Sequence, residues 1–401
     1  MSITSYNQRL ERSAASDFFA PQCVLSGDGA ALRVGTALRK RGVASGPALV
    51  ICDRVLLESN VLNPLFDGLR SADFAVDVFG DVTREPTLQD TELVATWVRE
   101  RQPTAVIGVG GGSAMDLAKV AALLGTNDGP IDHYIGADLV RNPPISLALV
   151  PTTAGTGAET TRISMLASDS GKHIISDRMI VPLVAVLDID LIIQLPRAVT
   201  AATGMDAIAH ATEAFLSTSS SVLTVTMSLR AAQLLSKWLP VAYTEPDSRK
   251  ARRATLYGAF LAGLGLNAGV VLGHSMAYTV ANRVHLPHGV TTAMALPFCL
   301  AYNAAANVDG IDQLALAITG GHRDDVRSAG DSLMELNERL GMPSSLAAVG
   351  IVASELEAMA KECTTKYPRP TNPVPMTVEH LMPLYDAWFR GDLNAAWMAP
   401  R

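Results

Sequence analysis

The sequence predicts an α/β half built on a parallel sheet, followed by an all-α half, with the boundary near residue 195. From about residue 46 to 190, short β-branched runs alternate with helical runs, the pattern of βαβ units whose sheet is covered on both faces. After Leu195-Pro196-Arg197 the apolar spacing is helical nearly to the end. The length of 401 residues also exceeds one ordinary core, since single cores stop growing at roughly 250–300 residues.

In chain order, PALVICD (47–53) and FAVDVFGDV (74–82) read as strands, DTELVATWVRERQ (90–102) as a helix and TAVIGVGGG (104–112) as a strand. The helical SAMDLAKVAALLG (113–125) and the strand ISLALVPTT (145–153) follow. In TRISMLASDSGKHIISD (161–177) two alternating runs flank Asp169-Ser170-Gly171, which predicts an antiparallel hairpin. PLVAVLDID (182–190) is one more buried strand. Helices are expected near 198–216, 222–239, 247–266, 271–281, 289–306, 324–341, 353–361 and 378–389. No internal repeat or low-complexity tract interrupts them.

Composition narrows the function classes. At 48% hydrophobic and 18% charged residues, the chain belongs with packed globular proteins. A net charge of −7 and no Lys/Arg run predict no nucleic-acid partner. The N-terminal MSITSYNQRLERSAASDFF lacks the layout of a signal peptide, and nowhere do eighteen uncharged apolar residues run together. The expectation is a cytoplasmic protein without a membrane partner. Cys23, Cys52, Cys299 and Cys363 lie far apart with no CxxC pair, so they read as reduced, mostly buried thiols.

GVGGGSAMDLAK (108–119) stands where a strand runs into a helix. Gly110, Gly111 and Gly112 remove every Cβ from that turn, Ser113 can cap the helix, and the helix N-terminus offers N–H groups to a pyrophosphate. Asp116 of the same stretch is counted with the cofactor-binding residues. The pattern is not GxGxxG, and tight strand-to-helix turns need glycine anyway. PTTAGTGAET (151–160) adds a second loop, rich in hydroxyls, at the carboxyl edge of the sheet. Asp53, at the end of the first expected strand, can accept from an adenosine ribose and would repel a 2′-phosphate, which favours NAD over NADP.

GMDAIAHATEAF (204–215) sets Asp206 and His210 four positions apart on one helical face, so they either pair or share a third group. GVVLGHSMAY and HLPHGVTTAMALP add His274 and His288. One carboxylate and three imidazoles suit divalent zinc or iron, and a single cation would satisfy four polar groups in apolar helical settings. Pro287 and Gly289 around His288 fit a helix starting at a fixed turn. His133, His173, His285, His322 and His380 read as surface or structural.

With these stretches together, the chain resembles the iron-containing, or group III, alcohol dehydrogenase family. The likeness rests on GGGSAMDLAK, PTTAGTGAE, the run from Pro182 to TGMDAIAHATEAF, and GHSMAY…LPHGVTTAMALPFCLAYN, with NPVPMTVEHL a weaker match. It implies a Rossmann-like NAD-binding domain over 1–195, a helical metal-binding domain over 196–401, dehydroquinate-synthase-like architecture, and a cleft holding NAD(P) and a divalent metal. It makes Asp206, His210, His274 and His288 the ligands of Fe2+ or Zn2+. Gly111, Gly112 and Ser113 become pyrophosphate contacts, and Thr152, Thr153 and Thr156 the second cofactor loop. Asp53 becomes the adenosine-ribose contact and Lys172 a nicotinamide-ribose contact.

The reaction so implied is hydride transfer between nicotinamide C4 and a metal-bound alcohol or carbonyl. One departure is Tyr278, where many members have a second histidine, and another is Ala281 in place of a usual glycine. Tyr278 is the candidate catalytic side chain, yet at a pKa near 10 it relays protons less readily than imidazole. A maleylacetate-reductase-like carbonyl reductase, a dehydroquinate-synthase-like lyase and an inactive binding protein are the alternatives. A small alcohol or aldehyde is the expected substrate, and a homodimer the default assembly. Lys366 and Arg369 read as solvated loop charges or as partners of an anionic substrate.

Overall fold

The computed structural model describes residues 16–82, 86–168 and 171–399. The N-terminal residues 1–15, read above as lacking a leader, and the Asp169-Ser170 turn lie outside them. Contacts divide the described residues into two compact units, one from Phe19 to Leu195 and the other from Pro196 onward.

The first unit runs β1 (Cys23–Ser26), α1 (Val34–Arg39), β2 (Gly46–Ile51), α2 (Arg54–Glu58), α3 (Asn63–Arg70) and β3 (Phe74–Phe79). It continues with α4 (Leu88–Arg101), β4 (Ala105–Gly110), α5 (Gly112–Leu124), β5 (Gly136–Ala137), β6 (Ser146–Pro151), β7 (Ile163–Ser168), β8 (Gly171–Ser176) and β9 (Val184–Leu187). Six strands form one parallel sheet in the order β1-β9-β6-β4-β2-β3. Successive residues of β2 enter different cores, Ala48 and Val50 one, Leu49 and Ile51 the other. Burial on both faces is why these strands read as continuous apolar runs. β7 and β8 pair antiparallel from Ile163↔Ser176 to Ser168↔Gly171, the expected hairpin.

Chain order places the ligand edge. From β2 the chain moves outward to β3, crosses back over β2 to β4, and continues through β6 and β9. The reversal lies between β2 and β4, and open parallel sheets bind ligands outside the carboxyl ends of the strands at such a point. Asp53 follows β2, and the triple glycine closes β4.

Some local expectations change. The strand that leads to Asp53 is the second in the chain, since β1 precedes it and pairs with β9 at the sheet edge. β1 has four residues and only Leu25 buried, too little pattern to read from sequence. α5 begins at Gly112 with Gly111 as N-cap and no side-chain cap, so Ser113 lies inside the helix and does not cap it.

The second unit is helical: α6 (Arg197–Leu216), α7 (Val222–Thr244), α8 (Arg249–Gly265), α9 (Leu272–Ala281), α10 (His288–Asn303), α11 (Ile311–Ile318), α12 (Val326–Arg339), α13 (Leu356–Thr365), α14 (Val378–Arg390) and α15 (Leu393–Met398). α11 and α15, of eight and six residues, were not anticipated, being too short for a clear helical period. α6 is buried almost all round from Thr200 to Leu216, as its small, apolar sequence allows. Among the described residues one straight helix, His288–Ala306, is long and apolar enough to cross a membrane, but 72% of that window is buried within the protein.

Candidate metal centre and nucleotide loops

Three helices of the second unit supply the metal candidates. Asp206 and His210 come from the middle of α6, His274 from the first turn of α9, and His288 is the first residue of α10 after Pro287. The Nε2 atoms of His210, His274 and His288 lie 3.9, 3.8 and 3.7 Å from Asp206 Oδ1. Donors of a tetrahedral site with bonds of about 2.0–2.2 Å stand roughly 3.3–3.6 Å apart. Asp206, His210 and His274 bring donor atoms within 4.8 Å of one another and could hold one ion, with His288 3.7 Å from the shared carboxylate oxygen. The His210 and His274 rings are stacked, with centroids 4.9 Å apart, and the His288 ring lies 5.3 Å from that of His274.

Burial makes this grouping demanding. His274 Nε2 is buried without a hydrogen-bond partner, which is costly unless something unseen satisfies it. Desolvation and the neighbouring His210 and His288 push the His274 pKa well below 6.5, so the ring is neutral and carries a bare lone pair. Desolvation alone would raise Asp206, but the three imidazoles outweigh it and hold the carboxyl below its ordinary range. The donor set therefore suits a divalent cation such as Fe2+ or Zn2+. His288 is 33% exposed, against 9% for His210 and 2% for His274, so the group opens on the His288 side.

Glu213 is the residue that sequence reading missed. Its Oε1 meets His274 Nδ1 at 2.6 Å, while Oε2 accepts the N–H of Val271 at 2.8 Å and of His274 at 3.2 Å. This carboxylate orients the ring so that Nε2 faces Asp206, a common arrangement behind metal-binding histidines. Burial pushes the Glu213 carboxyl up to about 7 despite those hydrogen bonds. A signal was present: positions 206, 210 and 213 share one helical face.

Tyr278 is one turn beyond His274 and is buried. Its ring stacks on His288 with centroids 5.6 Å apart. Desolvation raises its pKa despite the charge of Arg369, so the hydroxyl keeps its proton at neutral pH.

In the first unit the two candidate loops adjoin. Thr152 donates its N–H to Gly110 O at 2.9 Å, and a Cβ at Gly112 would lie 3.0 Å from Thr156 Cγ2. Gly110 has φ +154° and a Cβ there would come within 2.7 Å of Ala114 Cβ, so the turn itself demands it. At Gly111 the nearest atom to an added Cβ is Thr153 Cγ2 at 3.6 Å, ordinary contact. Packing does not require that glycine, whereas close approach by a ligand would. Asp53 accepts the Leu56 N–H at 2.8 Å, capping α2 with one carboxylate oxygen.

Asp116 faces the hairpin. It accepts the Met165 N–H at 3.2 Å, and desolvation pushes it up to about 6 against the pull of Lys119 and Lys172. Lys119 is fully buried and donates to Thr161 O at 3.0 Å and Ile163 O at 2.6 Å, with its pKa lowered to about 8 by desolvation. These ties hold the helix behind the glycine turn to the hairpin that carries Lys172. His133, His285 and His322 are exposed, and His173 and His380 half-buried. The four cysteines are free thiols, three of them buried.

Comparison with known proteins decides the family. Residues 21–189 match the description iron-containing alcohol dehydrogenase, and 200–389 the C-terminal region of the Fe-containing alcohol dehydrogenase family. Long-chain-alcohol dehydrogenase 1 of Geobacillus thermodenitrificans (strain NG80-2) is 32% identical over 86% of this chain and 90% of its own. The chain belongs to the iron-containing alcohol dehydrogenase family. Members of this family are oxidoreductases acting on CH–OH groups, and so is this protein.

Solved structures agree with the fold of this iron-containing alcohol dehydrogenase. A 1,3-propanediol oxidoreductase superposes with a TM-score of 0.88 at 28% identity, over 94% of this chain and 100% of that one. A sulfoacetaldehyde reductase from Bifidobacterium kashiwanohense, in complex with NAD+, gives 0.85 at 26% identity over 94% and 99%.

Proposed function

We propose that the protein is an NAD(H)-dependent alcohol dehydrogenase and carbonyl reductase whose divalent metal is held by Asp206, His210, His274 and His288. The observation that carries this is the approach of three imidazole Nε2 atoms to within 3.7–3.9 Å of one buried carboxylate oxygen. Bound there, the cation supplies Lewis-acid polarisation of an alcohol or carbonyl group, and the nicotinamide supplies the two-electron redox partner.

The remaining work belongs to the chain. The N-terminal N–H groups of α5, with Gly110, Gly111, Gly112 and Ser113, cradle the pyrophosphate, and Thr152, Thr153 and Thr156 form the facing loop. Asp53 receives the adenosine ribose with its uncapped oxygen, and Lys172, placed by Asp116, the nicotinamide ribose. Glu213 holds His274 in the ligating tautomer. Tyr278 stays protonated and positions substrate by hydrogen bonding, so proton release uses another route. Nucleotide handling falls to residues 1–195 and metal handling to 196–401. The free thiols fit a cytoplasmic enzyme, and a homodimer is the default for soluble assemblies.

Elemental analysis combined with His274→Ala tests the reading. The wild type is expected to carry about one Fe2+ or Zn2+ per chain and to reduce NAD+ with a simple alcohol. His274→Ala should lose metal and turnover, by about 1000-fold or more, yet retain NADH binding measured by fluorescence. Full activity in a metal-depleted His274→Ala protein would overturn the assignment. Asp53 further predicts NADH well above NADPH in kcat/KM.

A further inference from the structure

One cation beside the metal candidates has no counter-ion among the described residues. Arg369 lies in the segment after α13, and among the described residues it pairs with no carboxylate. Two acids of the preceding segment are already engaged. Glu362 meets Arg283 at 2.7 Å and Lys366 at 3.9 Å, while Glu355 meets Arg283 at 3.6 Å. Neutral groups hold Arg369 instead. Its Nε donates to Ser275 Oγ at 3.1 Å, and Ser275 is fixed by donating to Tyr367 O at 2.6 Å. Its guanidinium carbon lies 5.9 Å from the Tyr278 ring centroid.

That ring is the link to the chemistry, because Tyr278 also stacks on His288 and meets His274 edge-on at 6.3 Å. Nε is committed to Ser275 and the guanidinium also hydrogen-bonds the Tyr278 side chain, which leaves the remaining terminal N–H groups to meet an oxyanion. A half-buried cation already stripped of part of its water, and with no carboxylate partner among the described residues, gains most from an anionic ligand.

We propose that the substrate carries an anionic oxyacid group, a carboxylate or sulfonate, at the end remote from the reacting hydroxyl or carbonyl, and that Arg369 receives it. The proposal rests on the metal-ligand assignment above, since Arg369 is a specificity residue only if His274 and His288 border the reacting group. An alcohol with a neutral tail leaves the arginine unpaired and forfeits that interaction.

The test compares ω-hydroxy acids of three to six carbons, the matching ω-hydroxyalkanesulfonates, and the neutral ω-hydroxy amides as isosteres. The wild type is expected to favour at least one anionic series over the amides by roughly 10–100-fold in kcat/KM, decreasing with added salt. The preferred series distinguishes carboxylate from sulfonate. Arg369→Leu should bring the ratio close to one, and Arg369→Lys should restore part of it. In parallel, butanoate and propanesulfonate are titrated calorimetrically into metal-free protein, where saturable binding is expected in the wild type and lost in Arg369→Leu. Equal kcat/KM for acids and amides in the wild type, or a ratio unchanged in Arg369→Leu, would overturn the proposal. Failure of every alcohol to reduce NAD+ while anion binding through Arg369 persists would sink the dehydrogenase site and leave the anion site standing.

Discussion

A neutral imidazole binds a cation through whichever nitrogen its other hydrogen bond leaves bare. For His274 that choice is made by Glu213, 2.6 Å from Nδ1 and itself held by two backbone N–H groups. Glu213→Gln keeps the shape but weakens the acceptor, so metal affinity should fall about 10–100-fold in competition with a chromophoric chelator. Turnover should recover at saturating metal. An affinity equal to wild type would show that Glu213 only fills space. Asp206 and His210 could be read as one site from their spacing alone, because i and i+4 on a helix share a face. Glu213 escaped the same reading because a carboxylate in a helix is usually solvated, and only tertiary packing shows that it is fully buried.

At the level of elements, the site depends on how closely α10 approaches α6. A Cβ at Gly289 would lie 2.1 Å from the backbone oxygen of Ala202, one turn before Asp206. Gly289→Ala should therefore force α10 away and carry His288 with it. The expected cost is about 1–3 kcal/mol in stability and a clear loss of metal affinity, read by melting and metal titration. Metal affinity equal to wild type would show that α10 is not held by this contact.

In the first unit, burial lifts the Glu159 carboxyl from 4.5 to about 7. The folded state keeps this proton where the unfolded chain has lost it. The stabilisation is thus full below about pH 4.5 and disappears as pH rises through about 7. Glu159→Gln should flatten the fall in melting temperature across that window by an amount worth about 1–3 kcal/mol. Identical pH profiles for the two proteins would remove Glu159 as the cause.

At the level of the whole molecule, a ligand that binds only the folded state stabilises it by mass action. A divalent cation at about 1000 times its dissociation constant contributes roughly 4 kcal/mol, so chelation should lower the melting temperature by several degrees. That loss should vanish in His274→Ala, which has no ion to lose. A chelator effect of equal size in the variant would place the stabilising metal elsewhere.

What the sequence determined by itself is local. Strand and helix periods, the glycine turn, the i,i+4 pair on α6 and the hairpin around residue 170 all follow from neighbours within a few positions. Elements too short to show a period, such as β1, α11 and α15, stayed illegible for the same reason. Tertiary structure alone decided the rest. It set the strand order that puts the chain reversal between β2 and β4, and brought His274 and His288 onto Asp206 across 68 and 82 positions of sequence (274 − 206 and 288 − 206). It also turned Glu213 inward and left Arg369, among the described residues, without a carboxylate. Such facts depend on which groups share a volume after packing, and residue spacing along a chain does not encode that at long range.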